Sequence, residues 1–433
     1  MSERFAILNA RLVDPASGRD EAGGVMVENG HITEIGPSVR GSRLSEDGFD
    51  GRMIDAKGAI LAPALIDLRA AIEPAFTPGG ETLDSLVAAA SAGGIGTLVL
   101  APTSATPFDT PEAIRALRHD SRPHHVRLHA AGGATRNLEG RHMAEIGLMG
   151  DAGALFVSQG DGPMADAGAL RNLLTYASGF ETFVALRPCD ASLGAQAVAS
   201  ESEWAARLGL SAEPPIAERM AIDHAAALAE LTGGKLILDR VSTSEACDAI
   251  SRAKRKGLEI GATLAIAHLT LNNVDAADLG PNKRITPPLR SEIDRLAMVE
   301  AIRSGLIDAV VSDHRPIAAD AKAQPFADAP AGSTGVETLL GALLGLVHDG
   351  QLELIEALRP VTCGPADLLG LKQGRLAVGA PADIAIIDGD APWVFHAASG
   401  QSRRRNAIFE GRRFQGRVLQ LFVNGAMVFT SDN

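Results

Sequence analysis

Polar residues at the ends of several apolar runs are the candidates for chemistry in this 433-residue chain. Arg69 and Ala71 are alternate positions after the run that ends in Asp67-Leu68, so on a strand their side chains point the same way. A methyl group has no lone pair, and a guanidinium is permanently charged and has none to give. Neither position can therefore ligate a metal ion.

Arg187 and Arg240 follow two later apolar runs, and Asp313-His314 follows a third. If these runs are neighbouring strands, the arginines meet at one edge of a sheet, where paired hydrogen bonds to carboxylates could hold them. The carboxylates that could serve are those of Asp161, Asp190, Asp239 and Asp313. Two other outcomes stay open: the arginines extend to solvent, or they form a pocket for a phosphate or carboxylate ligand.

The elements that must position these residues alternate between apolar strands and longer helical segments. We predict strands at 58–68, 96–101, 126–131, 154–158, 182–187, 235–241, 258–265 and 308–312. We predict helices at 82–92, 167–178, 215–231, 244–256 and 291–304. Eight strands with helices between them predict an α/β fold, a parallel (β/α)8 TIM barrel.

Both ends of the chain are β-rich and contain turn signals. Asn29-Gly30 and Asn424-Gly425 each separate two alternating runs and predict a tight hairpin, since both turn residues need positive φ. Neither end has enough strands to bury a core alone, which predicts one small composite β-sandwich. The predicted domains are residues 1–57 and 371–433, the two halves of the sandwich, and the barrel at 58–370.

The amino-acid composition limits the kinds of binding partner and the cellular compartment that can be expected for this protein. The charge of 40 basic against 53 acidic residues, net −13, argues against nucleic-acid and membrane-surface partners. The short basic run Arg403–Arg405 is interpreted as a solvated loop. Three widely spaced cysteines offer neither a disulfide framework nor a metal knuckle, and the chain shows no signal segment and no bilayer-length apolar run. We therefore expect a cytoplasmic protein.

A series of short sequence motifs, in order along nearly the whole chain, resembles those of the dihydroorotases of the cyclic amidohydrolase superfamily. They lie at 62–68, 93–102, 232–236, 241–243, 285–290, 312–314 and 379–383. The resemblance implies an amidohydrolase-type barrel. In working members it also implies zinc-assisted opening of a cyclic amide, with an aspartate at strand eight taking a proton from the metal-bound water.

The zinc-ligand positions implied by the resemblance are mostly replaced. Where the family has histidine or acid, this chain has Arg69, Ala71, Gln159, Arg187 and Arg240. Asp161 is a second candidate for the acidic position, and Asp313 remains, with His314 beside it. Without a metal the pKa of water is not lowered toward neutrality, so Asp313 has no activated water to deprotonate and is interpreted as vestigial.

The substrate contacts implied by the resemblance are replaced as well. The arginine expected before Glu73-Pro74 is deleted, and Thr103 and Thr286 stand where asparagines are expected. Ile317 stands where the family has a histidine. Losses in two independent sets of residues are difficult to compensate by shifted geometry.

Three hypotheses follow. The favoured one is a catalytically inactive dihydroorotase-like protein of pyrimidine biosynthesis, without a cofactor. The resemblance implies a homo-oligomer that acts as a structural partner of the aspartate transcarbamoylase catalytic subunit. The alternative is an active, divergent zinc cyclic amidohydrolase, dihydroorotase or hydantoinase-like, with a displaced metal held by Asp313, His268, Asp161 or Asp239. The third is a regulator that binds a metabolite in an arginine-lined pocket.

Overall fold

The computed structural model describes residues 4–74, 77–194 and 196–431. Its strands are β1 (Arg4–Asp14), β2 (Arg19–Glu28), β3 (His31–Gly36), β4 (Arg52–Asp55), β5 (Ile60–Pro63), β6 (Leu65–Ala70), β7 (Ile95–Leu100), β8 (Arg127–Gly133), β9 (Phe156–Ser158), β10 (Phe183–Leu186), β11 (Ala199–Ser200), β12 (Ala212–Glu213), β13 (Lys235–Leu238), β14 (Ile260–Ala265), β15 (Ala309–Val311), β16 (Ile384–Val394), β17 (Arg413–Val423) and β18 (Ala426–Thr430).

The helices include several short ones at loop positions. They are α1 (Gly41–Glu46), α2 (Leu83–Ala92), α3 (Pro111–Asp120), α4 (Ile146–Ala152), α5 (Ala167–Ser178), α6 (Ala191–Gly194), α7 (Glu203–Arg207), α8 (Ile216–Thr232), α9 (Ser244–Arg255), α10 (Ile266–Thr270), α11 (Glu292–Arg303), α12 (Ala319–Lys322), α13 (Leu339–His348), α14 (Leu354–Leu358) and α15 (Cys363–Leu369). No helix of the described ranges is both long enough and apolar enough to cross a membrane.

The predicted barrel is confirmed. Eight parallel strands pair in the order β15-β14-β13-β10-β9-β8-β7-β6, and helices lie between them along the chain. The helix predicted at 167–178 has those bounds: Asp166 caps its start by accepting a hydrogen bond from the Ala169 N–H at 3.0 Å, and it ends before Gly179. Thr243 and Ser291 cap α9 and α11, each accepting a hydrogen bond at 3.2 Å from a backbone N–H one turn inside the helix.

The barrel closes where β15 meets β6. Ala70 forms a bridge with His314, and the Ala71 N–H donates to the carbonyl oxygen of His314 at 2.7 Å. The side chain of Asp67 accepts from the backbone N–H groups of Arg69 at 3.0 Å and Ser312 at 3.2 Å. Burial raises the pKa of Asp67 to about 7, against these hydrogen bonds. The first and last barrel strands are thus joined through a buried carboxyl.

The two chain ends share one sheet, as predicted, in the order β18-β17-β16-β5-β1-β2-β3, with β4 pairing β1. The single strand predicted at 58–68 is wrong: it is two strands separated at Ala64, whose N–H donates to the carbonyl of Asp383. β5 pairs with β16 in the terminal sheet, whereas β6 begins the barrel. The run reads as one strand in the sequence because both of its halves are buried and apolar, although each half belongs to a different sheet. The domain boundaries themselves stay predictions.

Both predicted hairpin turns are present, and they contact each other. Asn29 and Gly30 have φ of 52° and 77°, and Asn424 and Gly425 have φ of 53° and 77°. A Cβ atom added to Gly30 would lie 2.7 Å from the carbonyl oxygen of Asn424. Glycine is therefore required at Gly30 for its backbone angle and for the close approach of the two chain ends.

The segment between β16 and β17 lies against the barrel mouth. Arg404 makes a double hydrogen bond to Glu73, at 2.7 Å for each pair of atoms, and only 12% of its side chain is exposed. The solvated-loop interpretation is therefore wrong for Arg404, although Arg403 and Arg405 are exposed. Asn406 in the same segment donates to the carbonyls of Arg315 and Gly332, the two ends of the loop after β15. A terminal segment thus holds that loop in place.

Candidate functional site

The side chain of Arg69 lies at the carboxyl end of the barrel and contacts three carboxylates. Its Nη2, Nη1 and Nε atoms are 2.7, 2.7 and 2.9 Å from oxygens of Asp161, Asp239 and Asp313. These aspartates follow β9, β13 and β15, so three strand ends converge on one residue of β6. Only 9% of the Arg69 side chain is exposed. The ion pairing predicted for Arg69 is present.

Arg240 enters the same group from the end of β13 and is almost fully buried. Its Nη2 atom lies 2.5 Å from Asp161, its Nη1 atom 3.2 Å from Asp313 and its Nε atom 3.3 Å from Asp239. The Nη1 atom also donates to the carbonyl oxygen of Thr286 at 2.6 Å. Arg240 therefore bridges the same three carboxylates as Arg69.

A third guanidinium, that of Arg315, also pairs with Asp161. The group of three arginines and three aspartates, here called the mouth cluster, consists of Arg69, Arg240, Arg315, Asp161, Asp239 and Asp313. Burial opposes ionisation of Asp161, but the charges of Arg240, Arg315 and Arg69 outweigh it and hold its pKa well below the ordinary range. The formal charges of the cluster cancel. Sequence reasoning missed Arg315, although it directly follows Asp313-His314.

The backbone is strained at two members of the mouth cluster. Arg240 and Asp313 have φ of 59° and 48°, a left-handed conformation that costs a non-glycine residue about 1–3 kcal/mol. The surroundings hold both residues there: the Arg240 N–H donates to Thr263 Oγ1 at 2.8 Å, and the N–H of His314 donates to Ser312 Oγ at 3.1 Å. The left-handed backbone conformation at Arg240 and Asp313 directs both side chains into the mouth cluster.

The barrel beneath the mouth cluster is filled. The cavity bounded by Leu68, Arg69, Phe156, Ile237 and Asp239 has a volume of about 10 Å³, at most the space of one water molecule. Apolar side chains from the eight strands occupy the remainder of the interior. Arg69 and Arg240 therefore cap a barrel interior that, in the part of the chain that the structure describes, is packed with apolar side chains.

The residues present do not fit a catalytic zinc ion. Zinc binds through deprotonated thiolate, imidazole and carboxylate donors, and here each of the three carboxylates is already in contact with guanidinium groups. Within residues 4–74, 77–194 and 196–431, no three His, Cys, Asp or Glu side chains are arranged to hold a metal ion. Two cationic guanidiniums between the carboxylates would in addition repel a divalent cation.

His268, the fourth donor considered for a displaced metal, is not brought to these carboxylates. Its Nε2 atom lies 3.0 Å from the carbonyl oxygen of Pro287 and 3.3 Å from that of Pro288. Burial lowers the pKa of His268 to about 3, so the ring is neutral at pH 7. It forms no ion pair in the described part of the chain. The alternative ligand set is therefore not assembled.

The other predicted positions have structural contacts. Gln159 is buried, accepts a hydrogen bond from Thr135 Oγ1 at 2.9 Å and donates to the carbonyl of Leu138 at 2.7 Å. Nδ1 of His314 accepts from the N–H of Gly335 at 3.2 Å, and burial lowers the pKa of His314 to about 4. Asp190 caps the start of α6 and does not reach the mouth cluster, contrary to the prediction that it could neutralise an arginine there.

Arg187 also differs from the prediction. Its Nε atom donates to the backbone carbonyl of Asp161 at 3.2 Å, but the carboxylate nearest to it is that of Glu213, 3.6 Å from Nη1. Glu213 pairs closely with Arg290, which also lies 3.4 Å from Glu218. We call Arg187, Glu213, Glu218 and Arg290 the side cluster.

The side cluster supports the loop that carries Arg240. Glu218 accepts hydrogen bonds from the backbone N–H of Ser242 at 2.7 Å and from its hydroxyl at 2.6 Å. Burial raises the pKa of Glu218, and Arg290 opposes that shift. Arg290 donates to Ser242 Oγ as well, at 2.9 Å. Arg290 ends the segment 285–290, one of the short motifs that carry the family resemblance. That motif is the sequence signal that could have indicated a structural role for Arg290.

This architecture, a parallel barrel whose mouth is built from strand ends and whose side sheet combines both termini, is that of an amidohydrolase. The Amidohydrolase family matches residues 218–428. An L-hydantoinase (dihydropyrimidinase) structure from Arthrobacter aurescens superimposes with a TM-score of 0.85 at 24% identity, covering 99% of this chain and 96% of that one. This likeness shows the fold.

Full-length relatives define the family more narrowly. The chain is 31% identical to a dihydroorotase of Syntrophotalea carbinolica, over 98% of this chain and 99% of the relative. It is also 31% identical to a dihydroorotase-like protein of Pseudomonas aeruginosa, over 97% of this chain and 98% of the relative. The chain belongs to the dihydroorotase family of cyclic amidohydrolases.

Proposed function

We propose that this chain is a catalytically inactive member of the dihydroorotase family that acts in the cytoplasm as a structural partner of aspartate transcarbamoylase in pyrimidine biosynthesis. The observation that carries the inactivity is the mouth cluster. Arg69 and Arg240 place two guanidiniums among the three carboxylates that a metal would need.

The energetics of the mouth cluster support this proposal. Binding a metal there would require at least two carboxylates to give up buried ion pairs, and a charge left unpaired in such a site costs about 3–5 kcal/mol. Arg69 is held from three sides and cannot swing to solvent without breaking all three pairs. The cluster therefore stabilises the closed barrel at the expense of a metal site.

The partner rests on the family resemblance, in which inactive members are subunits of transcarbamoylase complexes. The name of the Pseudomonas aeruginosa relative, a dihydroorotase-like protein, is compatible with such a role. An inactive barrel that retains its packed core and its composite sheet offers a stable surface for assembly. A homo-oligomer within that complex is part of the proposal.

The inactivity is tested by metal content after mild purification, combined with a dihydroorotate hydrolysis assay. We expect substoichiometric zinc and no ring opening above a buffer control, before and after incubation with Zn²⁺. Zinc at full occupancy with hydrolysis at an ordinary enzymatic rate would refute it.

The partnership is tested separately by mixing the purified chain with the transcarbamoylase catalytic subunit of the same organism. We expect a shared elution peak in size-exclusion chromatography and a change in transferase activity. Separate peaks together with unchanged activity would reject the partner, without bearing on the loss of hydrolysis.

An active zinc cyclic amidohydrolase is the second candidate, favoured by the 31–33% identity to proteins named dihydroorotase. In this case the three aspartates of the mouth cluster would have to exchange arginine for metal. Stoichiometric zinc and hydrolysis abolished by Asp313→Asn would support this candidate over the first.

A further inference from the structure

Two cationic side chains beside the mouth cluster lack a counter-charge. The mouth cluster balances three arginines against three aspartates, and the side cluster balances two arginines against two glutamates. Arg284 and Lys322 lie next to these groups and belong to neither. Across the described residues neither of them forms an ion pair with a carboxylate, so together they leave a local surplus of two positive charges.

Lys322 ends α12, and only 5% of its surface is exposed. Its Nζ atom donates to the carbonyl oxygens of Pro281 at 2.8 Å and Arg284 at 3.1 Å, which leaves one of its three N–H donors unused within the part of the chain that the structure describes. Burial, with the charges of Arg284 and Arg315, lowers the pKa of Lys322 to about 7. A lysine buried to this extent is rarely found without a negatively charged partner.

The guanidinium of Arg284 is similarly undercompensated. Its Nη1 and Nη2 atoms donate to the carbonyls of Ile285 at 3.2 Å and Ala197 at 3.3 Å, whereas its buried Nε atom reaches no acceptor among the described residues. Burial lowers the pKa of Arg284, and the charge of Arg187 adds to that shift. Neutral carbonyls at these distances compensate a full positive charge only in part.

The backbone at Gly332 brings these cations together. The Gly332 N–H and the Lys322 Nζ atom donate to the same oxygen, the carbonyl of Arg284, at 2.9 and 3.1 Å. A Cβ atom added to Gly332 would lie 2.8 Å from Cδ of Arg315. Arg284 is half-buried and the Arg315 side chain is 33% exposed, so this group of cations borders solvent.

We propose that Arg284 and Lys322 bind a phosphate dianion, either free or as the monoester of a small metabolite. A phosphate monoester carries about −1.5 to −2 charges at pH 7, which matches the surplus of two positive charges. Its oxygens accept hydrogen bonds from the unused donors of Lys322 and Arg284, an ammonium and a guanidinium being the groups with which proteins commonly hold phosphate. Arg315 adds its charge while it stays paired with Asp161. The inference does not rest on the proposed function, since it involves neither hydrolysis nor a protein partner.

The test titrates methyl phosphate into the full chain by calorimetry at constant ionic strength, with dimethyl phosphate, which carries a single negative charge, as the matched control. We expect the monoester to bind at least about tenfold more tightly than the diester, because the second charge meets the second cation. Inorganic phosphate, titrated in parallel, distinguishes the two sources: tighter binding than methyl phosphate identifies the free ion as the ligand, and weaker binding identifies an ester. Equal binding of monoester and diester, or no binding of methyl phosphate and inorganic phosphate up to about 10 mM, would overturn the proposal.

Two substitutions locate the binding. Lys322→Met and Arg284→Gln each remove one of the two surplus charges, and we expect each to weaken binding of methyl phosphate about tenfold or more. Lys372→Met, at an exposed lysine, is the control and should bind like the parent. If the buried Lys322→Met variant fails to fold, the half-buried Arg284→Gln variant decides the outcome. Parental affinity in a folded Arg284→Gln variant would place the anion elsewhere and defeat the proposal.

Discussion

The mouth cluster and the side cluster both bury arginines at the carboxyl end of the barrel and both balance their formal charges, but they differ in how closely the opposite charges pair. In the mouth cluster three guanidiniums face three carboxylates, and Arg69 and Arg240 each contact all three carboxylates. In the side cluster Glu213 is bound closely by Arg290, and Arg187 is left 3.6 Å away.

The difference teaches how much each cluster contributes to the stability of the barrel. A buried guanidinium within hydrogen-bond distance of several carboxylates stabilises the structure strongly, whereas one whose nearest carboxylate lies at 3.6 Å contributes less. Four substitutions, from the largest expected effect to the smallest, separate these two behaviours.

Arg240→Met should have the largest effect, because it removes the most buried guanidinium from the mouth cluster and leaves its aspartates undercompensated. We expect a loss of about 3–5 kcal/mol in the free energy of unfolding, measured by urea denaturation. Arg207→Met, at a 75% exposed arginine paired with Glu203, is the control and should change stability by no more than about 0.5 kcal/mol. Similar effects at both positions would show that the mouth cluster is not a stabilising element.

Arg290→Met should cost about 3 kcal/mol at pH 8 by leaving Glu213 and Glu218 without their closest cation. The effect should shrink toward pH 4, because the pKa of Glu218 is already raised by burial and protonation removes the unpaired charge. Denaturation at several pH values measures this slope. A loss independent of pH would mean that Arg290 acts through packing alone.

Asp67→Asn tests the carboxyl that joins β6 and β15. The folded-state pKa of about 7 lies above the unfolded value, so the parent loses stability as pH rises from about 4 to 7. The amide keeps an acceptor oxygen for the two backbone N–H groups and carries no charge. We expect the variant to lose that part of the pH dependence, so that its stability falls less than that of the parent between about pH 4 and pH 7. Parallel stability curves for parent and variant would contradict the raised pKa.

Arg187→Gln should have the smallest effect on stability, about 1 kcal/mol, since one hydrogen bond to a carbonyl is lost and Glu213 keeps Arg290. Thermal unfolding without ligand measures it. A loss as large as that of Arg240→Met would show that Arg187 is as fully satisfied as the mouth cluster, and the comparison of the two clusters would fail.

Much of the barrel could be predicted because it depends on short-range patterns. Helix α5 and the caps Thr243 and Ser291 are local features, and so are the Asn-Gly hairpins. The division of 58–68 into two strands could not be predicted, because a run buried on both sides has the same composition whichever sheet receives it. Arg404 was misinterpreted for a related reason: its partner Glu73 is 331 positions away.

The candidate site was predictable in its members and less so in its pairings. Arg69, Arg240, Asp161, Asp239 and Asp313 were expected to converge because strand ends of a barrel meet, and they do. Arg187 follows a strand in the same way, yet it pairs with Glu213, which precedes α8. The order of the strands indicates which residues approach the mouth, but it says nothing about which carboxylate each guanidinium will reach.

The sequence by itself determined the alternation of strands and helices, the loss of lone-pair donors at Arg69 and Ala71, and the family. These follow from residue type and local spacing. Only the tertiary structure decided that Arg69 and Arg240 turn inward to a balanced cluster, that His268 stays apart from it, and that Arg187 reaches Glu213. The reason is that an ion pair depends on distances of a few ångströms between residues far apart in the chain, and those distances exist only once the barrel has closed.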